Sequence, residues 1–279
     1  MMEEHREGYL RIEGRSPTVW EAKNMTEFTS YDAGTPSWVD HGTKDLEASN
    51  AFYGSLFGWV AEDQGEDMGH YTLLRKAGKV VAGNMTVMME GQPSAWTTYV
   101  SVDSADATVD LVKKAGGMVF VEPMDVADIG RMAVFADPEG AVIGVWQPKS
   151  FFGAELANED GSFTWNELNT RAVPAAKVFY EQVFGWKPND LDMEEMSYTE
   201  WKRGDEAIAG MMPMPDMVPA DVPPHWLVYF AVDDADDSVA KATGLGAVTI
   251  VPPTDIPPGR FAVLADPEGA VFAVIKMKQ

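Results

Sequence analysis

Apolar and polar residues alternate in short runs along most of the chain after residue 35, and helical or turn-forming segments separate the runs. A period of two predicts strands, as in Trp38–Thr43 and Thr97–Val102. The segment after the first of these strands carries Phe52 and Tyr53 and stops at Gly58, a residue that readily adopts the left-handed conformation at a helix end. The pattern therefore predicts a strand that leads into a helix, with a second strand–helix pair later in the chain.

The same unit contains further strands and a closing hairpin. Strands are predicted around Tyr71–Leu74 and Val80–Val87, and the second helix is predicted over about Ala105–Ala115. The hairpin joins Arg131–Ala136 to Ala141–Trp146 through an Asp-Pro-Glu-Gly turn, a sequence typical of tight turns. Strands and helices in this order predict an α+β unit.

The whole unit occurs twice. Phe52–Trp59 recurs as Phe179–Trp186, and Gly130–Val142 recurs as Gly259–Val271, at offsets of 127 and 129 residues. The strand that starts at Trp96 likewise recurs at Trp226. Three blocks in one order at a nearly constant spacing predict two copies of a single fold.

The repeat divides the chain into four segments. These are an N-terminal arm (1–34), a first unit (35–148), a short linker (149–161) and a second unit (162–277). The arm contains Ile12–Arg15, which matches a protease site used in recombinant fusions. We therefore expect residues 1–24 of the arm to be a cloning remnant, an extended start or a native extension.

Composition and charge exclude several classes of function. The 279 residues carry 44 acidic and 21 basic side chains, for a formal net charge of −23, which disfavours binding to nucleic acids or anionic membranes. The absence of cysteine excludes disulfides, thiolate metal sites and cysteine nucleophiles. No apolar run is long enough to span a membrane. We therefore expect a cytoplasmic protein, monomeric or homodimeric, whose partner is a small molecule.

The two units resemble the vicinal oxygen chelate superfamily, which includes glyoxalase I, bleomycin-resistance proteins and extradiol dioxygenases. The resemblance rests on the Phe-Tyr helix that ends in Phe-Gly-Trp and on the Asp-Pro-Glu-Gly hairpin. Thr35–Asp40, Thr164–Leu168 and His225–Phe230 are similar to two-domain actinobacterial glyoxalase-like or hydroxylase-like proteins. The resemblance implies two glyoxalase-like domains of paired βαβββ modules, whose curved mixed or antiparallel sheets form open, barrel-like cavities.

The positions that hold metal ligands in metal-using members carry other residue types in this chain. They are occupied by Trp38 and Trp165, by Gly144 and Ala273, and by Thr97 and Leu227. None of these residues is a good ligand for a divalent transition metal. We therefore expect neither the family's metal nor any other cofactor.

A carboxylate stands two residues after each tryptophan, and residues two apart share one face of a strand. Asp40 therefore joins Trp38, and Glu167 joins Trp165 and Asn169, on the face that lines the cavity in this fold. Glu167, Asp40 and His225 are the candidate catalytic residues. The candidate ligand-binding residues are Trp38, Trp165, Asn169, Tyr99, Tyr229, Arg131, Arg260, Trp96 and Trp226.

Several interpretations of these residues stay open. The carboxylates either hold a ligand or form buried pairs with Arg131 and Arg260 that brace each unit, and His225 is either a base or a strand-edge residue bonded to backbone. The proline-rich segment 211–224 predicts a loop that either covers apolar sheet surface or closes over the second cavity.

Three functions follow from these alternatives. The first is metal-free binding of a planar polar or aromatic metabolite, as bleomycin-resistance proteins bind their ligand. The second is a lyase, isomerase or hydroxylase-like enzyme that uses Glu167 or Asp40 as general base. The third is a protein-binding module whose pockets are filled by side chains. The second cavity is expected to be the functional one, because it adds Asn169 and His225 where the first has Gly42 and Ala95.

Overall fold

A computed structural model describes residues 27–87, 91–193, 196–216 and 218–278. The expectation about residues 1–24 of the arm lies outside this part of the chain, and the bounds of the four segments stay predictions. The elements of the first unit are β1 (Pro36–Thr43), α1 (Leu46–Phe57), β2 (Val60–Asp63), β3 (Thr72–Lys76), β4 (Lys79–Thr86), β5 (Ala95–Ser101), α2 (Ala105–Lys114), β6 (Met118–Val126), β7 (Gly130–Ala136) and β8 (Val142–Pro148). Those of the second unit are β9 (Phe163–Thr170), α3 (Val173–Phe184), β10 (Lys187–Met193), β11 (Met196–Arg203), β12 (Glu206–Pro213), β13 (His225–Ala231), α4 (Ala235–Gly244), β14 (Val248–Ile256), β15 (Gly259–Ala265) and β16 (Val271–Met277).

Each unit forms one eight-stranded mixed sheet, and the two sheets have the same strand order. The first sheet runs β2-β3-β4-β1-β5-β8-β7-β6, and the second runs β10-β11-β12-β9-β13-β16-β15-β14. The central pair, β1 with β5 or β9 with β13, is antiparallel, while β4 and β12 run parallel to β1 and β9. The predicted tandem repeat of α+β units is confirmed, and neither sheet closes into a barrel.

The edge strands β6 and β14 were not predicted from the sequence. Each contains proline, which removes a ladder hydrogen bond and argues against a central strand. The prolines lie where the pairing register shifts, between Val121 and Met124 in β6 and between Val251 and Thr254 in β14. A bulge at a sheet edge accommodates proline, so these segments remain strands.

The helices pack between the sheets and fix which face of each sheet is covered. Asp45 caps α1 by accepting a hydrogen bond from the Ala48 amide, and Gly58 ends the helix at a φ of 74°. The Tyr53 ring of α1 lies 5.7 Å from the Phe272 ring of β16, so the first helix of one unit packs on the last hairpin of the other. The opposite face of each sheet is the one on which the resemblance implies a cavity, and we call these faces the first and the second cavity. None of the helices in the described ranges is long and apolar enough to cross a membrane.

Candidate functional site

A buried carboxyl group lies near the centre of each sheet, on the face turned away from the helices. Asp40 in β1 is 5% exposed and Glu167 in β9 is 4% exposed. Asp40 lies opposite Gly83 and Thr97 in the neighbouring strands, and Glu167 lies opposite Gly210 and Leu227. Both carboxyl groups thus occupy equivalent positions in the repeat.

In the second unit, aromatic hydrogen-bond donors surround Glu167. The Tyr229 hydroxyl donates to Glu167 Oε1 at 2.9 Å, and the Trp165 indole donates to the Tyr198 hydroxyl at 2.9 Å. Tyr198 is in turn hydrogen-bonded to Glu167. A side chain on Gly210 would begin 1.9 Å from the Tyr198 hydroxyl, so only glycine allows this approach. We call Trp165, Glu167, Tyr198 and Tyr229 the glutamate cluster.

The first unit repeats the arrangement around Asp40. The Trp38 indole donates to the Tyr71 hydroxyl at 3.0 Å, and that hydroxyl donates to Asp40 Oδ2 at 3.3 Å. Tyr99 supplies the second hydroxyl donor to the carboxyl group. We call Trp38, Asp40, Tyr71 and Tyr99 the aspartate cluster. Trp38, Asp40, Tyr99, Trp165, Glu167 and Tyr229 were expected to lie together, and the structure brings each set together.

Burial controls the protonation of both carboxyl groups. Loss of solvent raises the pKa of Glu167 from 4.5 to about 6, although the hydrogen bonds from Tyr229 and Tyr198 and the nearby amide of Asn169 oppose this rise. The pKa of Asp40 rises from 3.8 to about 7 for the same reason, against hydrogen bonds from Tyr99 and Tyr71. Each group therefore exchanges its proton near neutral pH, as a general acid or base must.

Tyr71 and Tyr198 were missed in the sequence analysis. They lie 127 residues apart, at the same offset as the Phe-Tyr helices, so the repeat itself could have identified them. Tyr198 belongs to β11, the counterpart in the second unit of the strand predicted around Tyr71–Leu74.

Arg131 and Arg260 do not join the clusters. Arg131 forms a bidentate ion pair with Asp106 at 2.7 and 2.9 Å, and Arg260 forms the equivalent pair with Asp236 at 2.6 and 2.9 Å. Both pairs link a strand of the terminal hairpin to the start of a helix near the protein surface. Alternation along β15 instead places Phe261 beside Tyr229, with ring centroids 6.2 Å apart. Arg131 and Arg260 were predicted to bind the ligand or, as the alternative, to pair with the carboxylates, and each instead lies on the other face of its strand.

Trp96 and Trp226 also lie on the helix side of their sheets. The Trp96 indole donates to the Tyr53 hydroxyl, and the Trp226 indole donates to the Tyr180 hydroxyl, both at 2.9 Å. Both tryptophans are buried between the units. Each tryptophan stands three residues before the tyrosine that faces the cavity, Tyr99 or Tyr229, and residues an odd number apart on a strand project from opposite faces. Trp96 and Trp226 therefore form part of the shared core.

Asn169 and His225 lie side by side at the end of the second cavity. They are cross-strand neighbours in β9 and β13, and the carbonyl oxygen of Pro223 accepts a hydrogen bond from Nδ1 of the His225 ring at 2.9 Å. His225 is thus a strand-edge residue with a backbone partner, one of the two alternatives left open by the sequence. Its Nε2 is the nitrogen that carries the lone pair when the ring is neutral.

The first cavity contains a ring from the linker. The Phe151 ring lies edge-on to Trp38 at 5.0 Å and to Trp146 at 5.8 Å, and the Trp146 indole donates to the Phe151 carbonyl at 2.8 Å. Ile275 occupies the position of Trp146 in the second unit. Linker and sheet together thus fill space beside the aspartate cluster.

A depression of about 480 Å³ lies at the open end of β9 rather than at Glu167. It is lined by Arg171 and by residues of the loop that follows β12, between Pro213 and Ala220. Arg171 donates to the carbonyl oxygens of Val222 at 2.7 Å and Pro219 at 2.9 Å. Met211–Pro213, which were expected in this loop, end β12 instead, with Pro213 as its last residue. No residue of the glutamate cluster lines this depression, so the candidate site rests on the hydrogen-bonding groups around Glu167 and not on the depression.

The residues at the family's metal positions do not fit a metal centre. Trp38 and Trp165 use their indole nitrogens as hydrogen-bond donors, and a side chain on Gly144 would begin 2.3 Å from the Tyr99 ring. Within the described residues, no group of three or more histidine, aspartate or glutamate side chains could hold a metal ion. The donor set offers one carboxylate per unit, which is fewer than the three protein ligands of a typical catalytic metal site.

The repeat also matches known families. Residues 36–145 match the family described as the glyoxalase/bleomycin resistance protein/dioxygenase superfamily, and residues 166–275 match one described as a glyoxalase-like domain. The chain belongs to this superfamily. A Mycobacterium tuberculosis relative named "Putative glyoxylase CFP32" is 43% identical over 90% of this chain and 98% of its own. The anthracycline biosynthesis protein DnrV of Streptomyces peucetius is 39% identical over 90% of this chain and 96% of its own.

Solved structures of the superfamily share the fold at low sequence identity. The Mn(II)-bound glyoxalase from Novosphingobium aromaticivorans has a TM-score of 0.61 and 18% identity, covering 90% of this chain and 83% of its own. The 2,2',3-trihydroxybiphenyl 1,2-dioxygenase from Sphingomonas wittichii has a TM-score of 0.60 and 14% identity, covering 89% and 92%. At these identities the likeness shows the superfamily fold alone.

Proposed function

We propose that this glyoxalase/bleomycin resistance superfamily protein binds a small, flat, polar or aromatic molecule in the cavity of the second unit without the usual metal. The observation that carries the proposal is the glutamate cluster, in which a buried carboxyl group is surrounded by aromatic side chains and hydroxyl donors. Flat rings pack well against such walls, and the carboxyl group supplies a directional contact.

The relatives support a flat ligand. DnrV and the protein DauV of a Streptomyces species, 37% identical to this chain, are both named for anthracycline biosynthesis. Anthracyclines are flat aromatic compounds that carry several carbonyl and hydroxyl groups. A ligand of this general chemistry suits aromatic walls with one buried polar group. The cytoplasmic location and the monomeric or homodimeric state remain predictions from the sequence.

An enzyme is the second candidate, and the protonation of the carboxyl group favours it. A pKa of about 6 allows Glu167 to take a proton from a carbon or oxygen acid and to return it at neutral pH. Proton transfer of this kind suits an isomerase, a lyase or a hydroxylase-like catalyst, and Asp40 would act similarly in the first unit. The mycobacterial relative carries the name "Putative glyoxylase CFP32".

The first experiment identifies the small molecule that copurifies with the protein. Native mass spectrometry of protein purified from its own cells identifies the bound compound by mass, and calorimetry then measures its affinity for the wild-type protein and for Glu167→Gln. We expect Glu167→Gln to weaken binding by about 1.5–3 kcal/mol, because it removes a charged acceptor and keeps the shape. Turnover of the compound on incubation, lost in Glu167→Gln, would identify the enzyme instead.

Glu139→Gln is the matched control, because it makes the same chemical change on an exposed turn of the first unit. It should bind like the wild type. Unchanged affinity in Glu167→Gln together with a lower melting temperature would identify Glu167 as a structural brace and would contradict the proposed site.

A further inference from the structure

The second cavity contains a buried hydrogen-bond donor without a partner. Among the described residues, the side-chain nitrogen of Asn169 is buried and makes no hydrogen bond of acceptable geometry. The amide nevertheless lies close enough to Glu167 to lower the pKa of that carboxyl group, against the larger effect of burial. An unmade hydrogen bond of a buried donor costs about 1–3 kcal/mol, so a ligand that supplies an acceptor at this position recovers that cost.

Glu167 has acceptor positions that no donor in the described part of the chain occupies. A carboxylate offers about four lone-pair positions, and Tyr229 and Tyr198 occupy two of them. Glu167 and Asn169 are two residues apart in β9, so both project from the same face of the strand. An acceptor and a donor thus lie next to each other at the cavity wall.

We propose that this pair selects a planar ring in which a hydrogen-bond donor, N–H or O–H, lies next to a carbonyl group. The ligand's donor bonds to Glu167, and its carbonyl oxygen accepts from the Asn169 amide. Lactams and ring systems with a hydroxyl beside a carbonyl have this pattern. The inference rests on the proposed binding function and specifies the chemical class of the ligand.

The spacing of the two groups favours a paired contact over two separate ones. Side chains two residues apart on a strand are separated by about 7 Å along the backbone, and the extra methylene of glutamate lets its carboxyl group approach a neighbouring amide. Two hydrogen bonds to one rigid ring also fix its orientation, as bidentate contacts do elsewhere. Above pH 6 the carboxylate accepts only, so the ligand must provide the proton.

The first unit lacks this pair. Gly42 occupies the position of Asn169, and Ala95 lies opposite it in β5 where His225 lies in β13. The aspartate cluster therefore has the acceptor and the aromatic walls without the adjacent amide donor. The first cavity should not distinguish a lactam from other rings.

Three bicyclic probes of similar shape separate the two contacts. These are 2-quinolone, which has both groups, 1-methyl-2-quinolone, which has the carbonyl alone, and indole, which has the donor alone. Calorimetry at pH 7.5 should show wild-type protein binding 2-quinolone at least tenfold more tightly than either of the others. Asn169→Leu, which keeps the size of the side chain, should lose at least fivefold in affinity for 2-quinolone and leave that for indole within twofold.

The outcomes distinguish this inference from the proposed function. If all three probes bind with similar affinity and Glu167→Gln weakens them, the cavity binds flat molecules but the paired contact is wrong. If none binds at millimolar concentration, the proposed function fails too. Should Asn169→Leu fold poorly, Asn169→Ala replaces it, and circular dichroism confirms the fold before binding is measured.

Discussion

The two cavities have the same framework and differ in what occupies the space beside the carboxyl group. In the first, Phe151 of the linker packs between Trp38 and Trp146. In the second, Ile275 replaces Trp146, and Asn169 and His225 add polar groups near the opening. A repeated fold allows one copy to become part of the structural core while the other keeps a site, and we propose that division here from the side chains around Asp40 and Glu167.

The contacts between the units also distinguish the first unit from the second. The turn of the second unit docks into the first, where Glu268 accepts hydrogen bonds from Thr43 at 2.6 Å and from the Lys44 amide at 2.9 Å. Asp266 of that turn lies 3.3 Å from Nε2 of the buried His41. Leu168 occupies the position of His41 in the second unit. The first unit thus has polar contacts to the turn of the second unit at Thr43, Lys44 and His41.

The largest expected difference between the cavities is in how the contribution of each buried carboxyl group to the free energy of unfolding depends on pH. A carboxyl group with a pKa raised on folding binds its proton more tightly in the folded state, so its contribution to stability is lost as pH rises from the unfolded to the folded pKa. For Asp40 this window runs from 3.8 to about 7, and for Glu167 from 4.5 to about 6. The free energy of unfolding of the wild type, minus that of Asp40→Asn, should fall by about 4 kcal/mol across the window, against about 2 kcal/mol for Glu167→Gln.

Urea unfolding at pH 4, 6 and 8 measures both differences. Subtracting the variant removes the contributions of other titrating groups, which the two proteins share. A difference that stays flat or rises with pH would contradict the burial of an ionisable Asp40. If the difference in the free energy of unfolding changes equally with pH for Asp40→Asn and Glu167→Gln, the two cavities do not differ in this respect.

Sequence alone could predict the repeat, the fold and most of the two clusters. Asp40 and Glu167 could be placed beside Trp38 and Trp165 because strand alternation is a strict period of two. The same rule gave the wrong side for Arg131 and Arg260, since the phase of β7 and β15 relative to the cavity depends on how they pair with β8 and β16. Phe151 could not be placed at all, because a linker ring has no periodicity that indicates where it packs.

Removal of the Phe151 ring should open the first cavity. Because the ring is half-buried, Phe151→Ala should lower the free energy of unfolding by about 2 kcal/mol, below the 3–5 kcal/mol typical of fully buried phenylalanines. Added indole should then restore part of that stability by filling the space between Trp38 and Trp146. Urea unfolding with and without indole measures both effects.

Phe152→Ala is the control, because Phe152 packs near Tyr31 at 6.4 Å rather than in the cavity. Indole should stabilise Phe152→Ala no more than it stabilises the wild type. If indole raises the free energy of unfolding of neither variant, removal of the Phe151 ring leaves no space that indole can fill. Phe151 then covers the outside of the sheet and does not separate the first cavity from solvent.

The smallest expected effect concerns the loop at the opening of the second cavity. The forked guanidinium of Arg171 reaches the Val222 and Pro219 carbonyls, and lysine keeps the charge but cannot make both bonds with the same geometry. Arg171→Lys should therefore speed hydrogen exchange of the Ala220 and Asp221 amides by about fivefold, equivalent to about 1 kcal/mol of local stability, and change global unfolding by less.

Arg75→Lys makes the same substitution in the first unit, where Arg75 pairs with Glu62, and should leave exchange in the loop unchanged. Dissociation of 2-quinolone from Arg171→Lys should also quicken, because the loop lies beside the open end of β9. Unchanged exchange would mean that the loop's own turns, from Pro215 to Val218 and from Pro219 to Val222, hold its shape. In that case Arg171 contributes surface charge, and the cavity opening is rigid without it.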